Sequence, residues 1–503
     1  MMGNNLPKGW IECSLGEILS AKKGKKPESV INDPKAGYVP YILIDEMEGN
    51  PIRTYTNDPK VSIIDESEVL LVWDGSIGKC GSGLNGAIGS TLVGLKALDE
   101  IQTKFLEYII KLQNNFIKET STGSGLQHVN KDFFQICKIL LPPLSEQNRM
   151  VAKLDALMQK VESNNQRLDK IPKLLKRFRQ SILAAAVSGK LTKNWRKDKS
   201  EKTEVNIKDL IKIRQKNHSD IGKIQKKLNK SVSKLPEFNV IVNEDLPVKW
   251  IGISVESATT FIIDCLHNTP KFTETGNLCI DTTCIEPFRI LWNSARKVTS
   301  DSFVERTSRM TPEKGDILFS REGTIGTAVL FNGDFPICLG QRMMMFRFAD
   351  FVSPQYAEIY MASQYFKTIY TPFISGTSAQ HLNIGDIRQL EFILPPINEQ
   401  KEIVNRVEQL FAFSDNVEAR YTKAKAMLDK LPQSILAKAF RGELVPQDEN
   451  DEPASMLLER IKAEKLKMAG LKKEQKTKAY SITEKPLKVA AEKKVKYKTT
   501  EKL

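Results

Sequence analysis

Two short polar stretches of the sequence share glycine, hydroxyl, amide and imidazole residues in a similar order. Residues 121–130 read STGSGLQHVN and residues 374–383 read ISGTSAQHLN. Glycine lets a backbone approach a phosphate closely, while hydroxyl, amide and imidazole groups can bond to phosphates or base edges. A polar turn that caps the next helix or strand is the alternative interpretation. The candidate contact residues are Ser124, Gln127, His128 and Asn130 in the first stretch and Thr377, Ser378, Gln380, His381 and Asn383 in the second.

A second set of candidates lies at a repeated glycine turn. Asp74-Gly-Ser-Ile-Gly and Glu322-Gly-Thr-Ile-Gly are alike, but they follow Trp73 and Arg321, respectively. A shared turn with different side chains is typical of a specificity position, and an arginine can bond bidentately to guanine. We therefore predict that these four residues contact DNA. A surface ion pair, or a tryptophan at the edge of the core, is the alternative.

Four lysines near the N-terminus could neutralise phosphates. Lys22, Lys23, Lys25 and Lys26 are interrupted only by Gly24. Such a run favours phosphate contact, although a run of like charge is often only a solvated face.

The sequence lacks the motifs of a DNA-modifying enzyme. An adenine methyltransferase needs Asn, Asp or Ser followed by Pro-Pro and an aromatic residue that stacks on the flipped base, but the two Pro-Pro pairs lie in LPPL at 141–144 and LPPI at 394–397. Residues 74–81 do not have the spacing of a phosphate-binding loop. Four histidines are too few for a clustered nuclease site, and Cys279 and Cys284 have no companion zinc ligands. We predict no catalytic residue, no metal site and no cofactor.

These features belong to a tandem repeat with an offset of 253 residues. Residues 121–147 match residues 374–400, and Gln180-Ser-Ile-Leu-Ala matches Gln433-Ser-Ile-Leu-Ala in the same register. A period of this length is a whole domain plus a helix, because solenoids repeat every 20–50 residues. A duplicated binder of this kind is suited to a target with two ends.

Each repeat contains a long helix with a heptad pattern. Seam positions recur at alternating spacings of four and three from Met150 to Ala185 and from Ile403 to Lys438, and ten of the eleven in the first copy and nine of the eleven in the second are apolar, which is typical of a coiled coil. Pro172 and Pro432 fall inside the pattern, so we expect each helix to bend there. The seam residues are Leu154, Leu157, Val161, Asn164 and Leu168 in the first copy and Val407, Leu410, Ser414, Val417 and Tyr421 in the second.

The predicted fold class is α+β, with two mixed α/β domains separated by two long antiparallel coiled-coil helices in a pseudo-two-fold tandem repeat. Antiparallel pairing of two equivalent halves would provide the two-fold symmetry that suits a duplex with two half-sites. We expect residues 447–503 to be a helical, Lys-rich tail that is partly disordered. The predicted boundaries are 1–144 for the first mixed domain, 145–240 for the central long helix and a polar linker, 241–397 for the second mixed domain and 398–446 for the C-terminal long helix.

The composition favours a globular protein of the cytoplasm. Of the 503 residues, 41% are hydrophobic and 27% are charged, no apolar run reaches the roughly 18 residues of a membrane span, and the N-terminal residues do not have the pattern of a signal peptide. Seven cysteines fit a reducing compartment. The net charge of +14 is concentrated in residues 454–503, which hold 14 Lys and one Arg against six Glu. Bulk charge alone therefore does not indicate DNA binding.

Several blocks in and around the long helices have distinctive sequences. They are Leu141-Pro-Pro-Leu-Ser-Glu-Gln, Ile171-Pro-Lys-Leu-Leu-Lys-Arg-Phe-Arg-Gln, Gly189-Lys-Leu-Thr-Lys-Asn-Trp-Arg and Gln433-Ser-Ile-Leu-Ala-Lys-Ala-Phe-Arg-Gly-Glu-Leu. These blocks resemble the specificity subunits of type I restriction-modification systems, above all the enterobacterial K-12-type family. The resemblance covers nearly the whole chain except the Lys-rich tail, and the mixed domains match only in outline, as variable target-recognition domains would. After Leu444 the second copy reads Val445-Pro-Gln-Asp and lacks the Trp-Arg pair of the first.

The resemblance implies a subunit without catalytic activity that binds double-stranded DNA. It also implies that the subunit holds two methyltransferase (modification) subunits specific for adenine N6, and that restriction subunits driven by ATP can join the assembly. S-adenosylmethionine, Mg and ATP would then belong to the partner subunits, and no membrane would be involved. Two alternatives remain: a fused nuclease-methyltransferase, which the missing motifs disfavour, and a coiled-coil adaptor that binds protein alone, which would leave two mixed domains unexplained.

Overall fold

The computed structural model describes residues 6–98, 100–123, 125–198, 205–377 and 380–467. The chain divides into two compact units, one formed by residues 1–167 with 424–503 and the other by residues 168–423. Each unit contains one mixed domain and a segment of each predicted long helix. In the described ranges, no helix combines the length and the apolar character needed to cross a membrane.

The mixed domain of the first unit is built on two four-stranded sheets and a closing strand pair. The first sheet is antiparallel, with the strand order Leu19–Lys23, Leu92–Ala97, Glu68–Val72 and Cys80–Ser82. The second sheet has a parallel pair at its centre and the order Tyr55–Thr56, Val39–Ile42, Gly86–Ile88 and Ile63–Ile64. Ile11–Ser14 pairs with Lys138–Leu141, so the first and last strands of the domain lie side by side.

The helices of the first unit enclose one face of the first sheet. Val69 and Leu71 share a buried apolar cluster with Phe105, Ile109 and Leu436. The alternation along the strand therefore buries these side chains against helices. The helices are Leu15–Ile18, Ile44–Met47, Thr103–Leu112, Asn114–Glu119, Phe133–Ile136, Leu144–Leu168, the C-terminal part of Ile397–Ala439, and 454–467.

The second unit repeats this plan with additional strands. Its first sheet has the order Thr259–Asp264, Met343–Phe348, Ile317–Ser320 and Ala328–Leu330, and its second has the order Phe272–Thr273, Arg296–Val298, Asn277–Ile280 and Ile337–Leu339. A three-stranded sheet of Val240–Ile241, Ile251–Ser254 and Glu391–Leu394 closes the domain. Two strand pairs complete it, Ile285–Glu286 with Arg289–Ile290 and Ile374–Ser375 with His381–Leu382.

The helices of the second unit pack around its first sheet and contribute much of the apolar core. Phe319 and Phe346 of that sheet are fully buried in one cluster with Tyr356, Tyr360 and Phe366. The helices are Ile171–Val187, Lys193–Asp198, Ile207–Lys227, Val255–Ala258, Ser300–Arg306, Pro354–Met361, Gln364–Tyr370, Ile384–Gln389 and the N-terminal part of Ile397–Ala439, with short 3₁₀ segments at Trp292–Ser294 and Thr371–Phe373.

The first predicted long helix is interrupted, whereas the second is continuous. Leu144–Leu168 and Ile171–Val187 are separated by two residues, and Pro172 lies in the first turn of the second segment. Proline is favourable there because a first-turn N–H has no acceptor within the helix. Ile397–Ala439 runs for 43 residues with Pro432 inside it. The expected bend at Pro172 is thus a break just before it, and the helix continues through Pro432.

The predicted seam residues differ in burial. Leu154, Val161, Val407 and Ser414 are buried, Leu157, Leu168, Leu410, Val417 and Tyr421 are half-buried, and Asn164 is exposed. The prediction for Asn164 is wrong, because the next residue, Asn165, faces inward and accepts a hydrogen bond from Lys425 Nζ at 2.9 Å. Successive residues of an α-helix are about 100° apart around its axis, so with Asn165 bonded to Lys425 the side chain of Asn164 lies on a different face.

Contacts between helical segments run in opposite chain directions within the second unit. Phe178 packs edge-on against Phe413, with ring centroids 6.2 Å apart. Twelve residues after Arg179, the carbonyl of Leu191 accepts a hydrogen bond from Arg406 at 2.8 Å. Arg179 Nη2 itself donates to Asp415 Oδ1 at 2.6 Å and to Glu418 Oε2 at 2.8 Å. As the first segment advances along the chain, its partners on the second segment recede.

The start of the predicted tail is a helix that packs on the first unit. In residues 454–467, Leu457, Leu458 and Ile461 are buried in the core of that unit. Lys465 Nζ donates a hydrogen bond to the carbonyl of Gly16 at 2.5 Å. The remaining tail, residues 468–503, lies outside the described residues.

The segment predicted as a polar linker contains the packed helix Ile207–Lys227. Leu210 is buried in the core of the second unit. The guanidinium of Arg214 donates to the carbonyls of Thr259 and Glu256, each at 2.8 Å, and to that of Pro236 at 2.9 Å. The linker prediction misses this helix because its buried face is narrow and includes an arginine that is held by backbone oxygens.

The helix Thr103–Leu112 of the first unit carries a buried glutamate with charged partners. Lys104 and Lys111 donate to Glu107 at 2.8 and 2.5 Å, and Ser82 also donates to it. Burial alone would raise the pKa of Glu107, but the two lysines and the serine lower this pKa below its ordinary value. The carboxylate is therefore stabilised in its ionised form.

The matching helix of the second unit, Pro354–Met361, carries a glutamate without such partners. Glu358 Oε1 accepts one hydrogen bond, from the backbone N–H of Leu330 at 2.9 Å. Burial raises the pKa of Glu358 to about 7. Near neutral pH the second unit therefore holds a buried carboxyl that is close to its titration point.

We expect Glu358→Gln to remove a pH dependence of stability from the second unit. Because the folded pKa of about 7 exceeds the ordinary value of 4.5, the stabilisation from protonated Glu358 is complete below about pH 4.5 and is lost as the pH rises through about 7. Relative to wild type, the variant should gain on the order of 3 kcal/mol between pH 4.5 and pH 8. Hydrogen-exchange protection of Pro354–Met361 measures this difference.

The matched control is Glu107→Gln in the first unit. Its folded pKa is lowered, so the stabilisation from ionised Glu107 is present above the ordinary pKa and is lost as the pH falls. This variant should therefore lose protection at pH 8. An unchanged pH profile in Glu358→Gln would contradict the prediction.

Candidate nucleic-acid interface

The predicted contact residues of the first unit meet where two strands of its first sheet end, and this surface of strand ends and turns is called the edge of the unit. Leu19–Lys23 and Glu68–Val72 both pair antiparallel with Leu92–Ala97, so both end at that edge. An isolated bridge then joins Asp74 to His128. Two turns that are 54 residues apart in sequence are thereby brought together.

A carboxylate lies at the centre of this edge. Asp74 Oδ1 lies 2.6 Å from Nδ1 of His128, and Asp74 Oδ2 accepts a hydrogen bond from Lys23 Nζ at 2.9 Å. Burial alone would raise the pKa of Asp74, but the hydrogen bonds from His128 and Lys23 lower this pKa below its ordinary value. The ionised Asp74 orients the imidazole of His128, and 45% of the His128 side chain is exposed.

The lysine run divides into residues that pair with carboxylates and residues that do not. Lys22 Nζ donates to the buried carboxylate of Glu68 at 2.8 Å, whereas Lys25 and Lys26 are exposed and, among the residues with described positions, form no ion pair. A Cβ on Gly24 would lie 2.0 Å from a neighbouring carbonyl oxygen, so the loop packs too closely for any side chain there. Lys25 and Lys26 are the residues of this run that can reach a phosphate.

The polar loop combines a cap with an exposed amide. Asn130 Oδ1 accepts the backbone N–H of Asp132 at 2.9 Å, which is the alternative, structural interpretation of that residue. Gln127 is exposed, and its carbonyl accepts the N–H of Gly75 at 2.9 Å. Ser124 lies outside the described residues. Of Gln127 and Asn130, Gln127 is the residue whose side chain is exposed to a ligand.

Trp73 belongs to the edge of the core. Its ring lies 5.4 Å from that of Phe134, centroid to centroid, and it packs against the main cluster of the first unit. The structure therefore supports the core-edge interpretation of Trp73 over direct DNA contact.

The second unit builds the same edge from different side chains. Thr259–Asp264 and Ile317–Ser320 both pair antiparallel with Met343–Phe348 and end side by side. An isolated bridge joins Glu322 to His381, as one joins Asp74 to His128 in the first unit. The sequence repeat is thus also a repeat of this edge.

Arg321 is enclosed at the second edge, and this favours the alternative interpretation of an ion pair over direct contact with a base. The residue is 6% exposed. Its Nε lies 3.2 Å from Asp264 Oδ1, and its Nη2 lies 3.0 Å from Glu322 Oε1 and 3.1 Å from His267 Nδ1. A guanidinium held in this way orients two carboxylates and has no free fork for guanine.

The remaining candidates of the second unit are mostly open. Thr377, Gln380 and Asn383 are exposed, and Asn383 Nδ2 donates to Asp386 Oδ2 at 3.3 Å. His381 is half-buried, with Nε2 3.3 Å from Ser375 Oγ. Ser378, the remaining predicted contact, lies outside the described residues.

Sequence reasoning missed two segments that reach the second edge. His267 follows the first strand of the sheet, is 63% exposed and lies 3.1 Å from Asp264 Oδ2. Gln341 and Arg342 precede Met343–Phe348. Aligning the ends of the strands, in addition to the helical blocks, would have found these residues. In the described ranges, no group of three or more His, Cys, Asp or Glu residues is arranged to hold a metal ion.

A protein-family model described as the type I restriction modification DNA specificity domain matches residues 7–173 and 199–426. The chain belongs to this family. The match includes both mixed domains and much of both long helices, so the two repeats are two copies of the family's domain. The resemblance found in the helical blocks is confirmed.

Individual relatives agree over almost the whole length. The chain is 28% identical over 506 residues to the type I restriction enzyme EcoKI specificity subunit of Escherichia coli K12, which covers 94% of this chain and 99% of the relative. It is 30% identical over 487 residues to the EcoDI specificity subunit of Escherichia coli, with coverage of 94% and 99%.

Two solved structures share the fold. One, described as the structural basis underlying complex assembly and conformational transition of the type I R-M system, has a TM-score of 0.59 at 18% identity and covers 88% of this chain and 100% of that chain. The HsdS subunit from Thermoanaerobacter tengcongensis has a TM-score of 0.52 at 18% identity, with coverage of 88% and 99%. At this identity the likeness shows the fold alone, mixed α/β with long helices.

Family membership decides between the alternatives drawn from the sequence. The chain is a DNA-specificity component of a type I restriction-modification system and has no catalytic role of its own. The fused nuclease-methyltransferase is not supported.

We expect Arg321→Ala to destabilise the second unit by about 3 kcal/mol, because the substitution leaves the largely buried carboxylate of Asp264 without its arginine partner. Denaturant unfolding of the full chain measures the loss. Arg289→Ala is the control: it removes an exposed pair with Glu286 and should change stability by less than about 0.5 kcal/mol. Full stability in Arg321→Ala would contradict the enclosed role.

Proposed function

We propose that this specificity subunit binds a bipartite, asymmetric double-stranded DNA target, with one half-site for each mixed domain. The sheet edge that is built twice carries the proposal. The bridges Asp74–His128 and Glu322–His381 repeat, whereas the side chains around them differ. Equivalent backbones with different side chains suit two half-sites of different sequence.

At these edges we assign some side chains to the phosphates of the DNA and give others as candidates for its bases. Lys25 and Lys26 are exposed cations on a loop pinned by Gly24, and we assign them to phosphates. The exposed amides and the oriented imidazoles are the candidates for base edges or phosphates. They are Gln127 and His128 in the first unit and Gln380 and His381 in the second, with Thr377 and Asn383 beside the latter pair.

We further propose that the long helices form an antiparallel coiled coil with pseudo-two-fold symmetry, which separates the half-sites. Opposed contact directions within the second unit support this arrangement. So does the course of Ile397–Ala439, which begins in the second unit and ends in the first. At 1.5 Å per residue, a helix of this length measures about 64 Å.

The proposed partners follow from what the relatives are named. The curated relatives are specificity subunits of type I restriction enzymes, and one solved relative is described in terms of complex assembly. We propose that two adenine methyltransferase subunits, and restriction subunits, assemble on this chain in the cytoplasm. S-adenosylmethionine, Mg and ATP would be bound by those partners.

We expect replacement of residues 241–397 by the equivalent segment of the EcoDI specificity subunit to change one half of the methylated motif. The other half should persist, because the first edge is formed within its own unit. Single-molecule sequencing of methylated adenines, in cells that carry the matching modification subunit, reads both halves. Replacement of residues 1–144 is the reciprocal control. A change in both halves from either exchange would contradict independent reading.

We expect an insertion of four residues after Asn164 to alter the spacing between the half-sites. It would lengthen Leu144–Leu168 by about 6 Å, so the motif should acquire a different spacer or methylation should fail. Four residues inserted at Gly37, which has open space around it, serve as the control and should leave the motif unchanged. The same spacer and the same methylation efficiency after the Asn164 insertion would show that the helix is not a ruler.

A further inference from the structure

We propose that Arg342 reads a guanine in the half-site of the second domain. This inference rests on the proposed function, since it requires that the second edge faces DNA. It replaces Arg321, which is enclosed, with a residue that the sequence alone did not single out.

The backbone at Arg342 adopts a conformation that arginine rarely takes. Its φ is +76°, in the left-handed region that glycine enters without strain and that other residues enter at a cost. The conformation is held in place because the carbonyl of Arg342 accepts the N–H of Arg321 at 3.1 Å. A strained residue at a ligand-facing edge indicates that the side chain, and not only the turn, is in use.

The position corresponds to one in the first unit with a different side chain. Thr91 also lies directly before a central strand of its sheet, Leu92–Ala97, and its carbonyl accepts the N–H of Trp73 at 2.8 Å. Arg342 bears the same relation to Met343–Phe348 and to Arg321. The two positions accept the same backbone hydrogen bond but carry Thr in one unit and Arg in the other, which suits them to distinguishing the two half-sites.

The guanidinium of Arg342 is open to a ligand and is also oriented. The side chain is 52% exposed, and its Nε lies 3.6 Å from Glu322 Oε2. Glu322 Oε1 is held in turn by Arg321 at 3.0 Å. The buried arginine thus fixes the carboxylate, and the carboxylate aligns the Nε side of Arg342, which leaves its terminal nitrogens to meet the N7 and O6 acceptors of guanine.

The local charge favours a base over a phosphate as the ligand. Asp264 and Glu322 balance Arg321 and Arg342, so the cluster does not present the net positive charge that phosphate neutralisation uses. The first edge differs, because Lys25 and Lys26 are exposed there without ion pairs among the described residues. A neutral cluster with directed donors reads sequence, while unpaired lysines hold the backbone.

Arg342→Lys and Arg342→Gly test the inference in the full chain assembled with its modification subunits. Lysine keeps the charge but loses the bidentate fork, and glycine relieves the left-handed backbone, so both variants should fold. Sequencing of methylated adenines should show that selectivity at one G·C position of the second half-site falls about tenfold or more in both. The first half-site and the spacer should be unchanged. Arg289→Lys, at an exposed arginine paired with Glu286, is the matched control and should keep the motif.

Several outcomes would overturn the inference. Full selectivity in Arg342→Lys would mean that only the charge matters, and equal weakening on all sequences in Arg342→Gly would identify a phosphate contact. An unchanged motif in both variants would place Arg342 outside the interface. A wild-type complex that methylates no bipartite motif is a separate result, because it removes the proposed function itself and this inference with it.

Discussion

Each mixed domain is fastened to a long helix by a buried hydrogen bond between a tryptophan and a glutamate. Trp10 Nε1 donates to Glu146 Oε2, and Trp250 Nε1 donates to Glu399 Oε2, both at 2.9 Å. Trp10 and Trp250 directly precede the strands Ile11–Ser14 and Ile251–Ser254, respectively, and each glutamate lies in the first turn of the helix that follows the last strand. The bond therefore joins the start of the domain to the helix that leaves it, and it fixes the first turn of that helix against the domain.

The two copies differ in how the second carboxylate oxygen of this glutamate is hydrogen-bonded. Thr192 donates to Glu399 Oε1 at 2.6 Å, and Arg196 pairs with the same oxygen. In the described part of the first unit, Glu146 Oε1 is buried without a hydrogen-bond partner, and burial raises the pKa of Glu146. Val445 occupies the repeat position of Thr192. The indole bond is retained in both copies, so it is the common element of the frame.

The two sheet edges divide the same tasks differently between side chains. In the first unit, Asp74 holds His128 and Lys23. In the second unit, the buried guanidinium of Arg321 pairs with the carboxylates of Asp264 and Glu322. The buried member of the cluster is a carboxylate in one case and a guanidinium in the other, and each leaves different groups exposed. Divergence of this kind changes what an edge can bind without changing the strands that carry it.

The sequence by itself determined the repeat, the two mixed domains, the long helices and the family, because these depend on periodicity and on blocks of contiguous residues. It also identified both turns of each edge, since matched loops mark matched positions. Tertiary structure alone decided which side chains are free: Arg321 is enclosed by Asp264, which is 57 residues away, and Asn165 faces inward where Asn164 was expected. The burial and pairing of a side chain depend on neighbours that are distant in sequence, and the residue that a helix turns inward depends on how the helix packs. Residue types and their spacing along the chain specify neither the distant neighbours nor the packing.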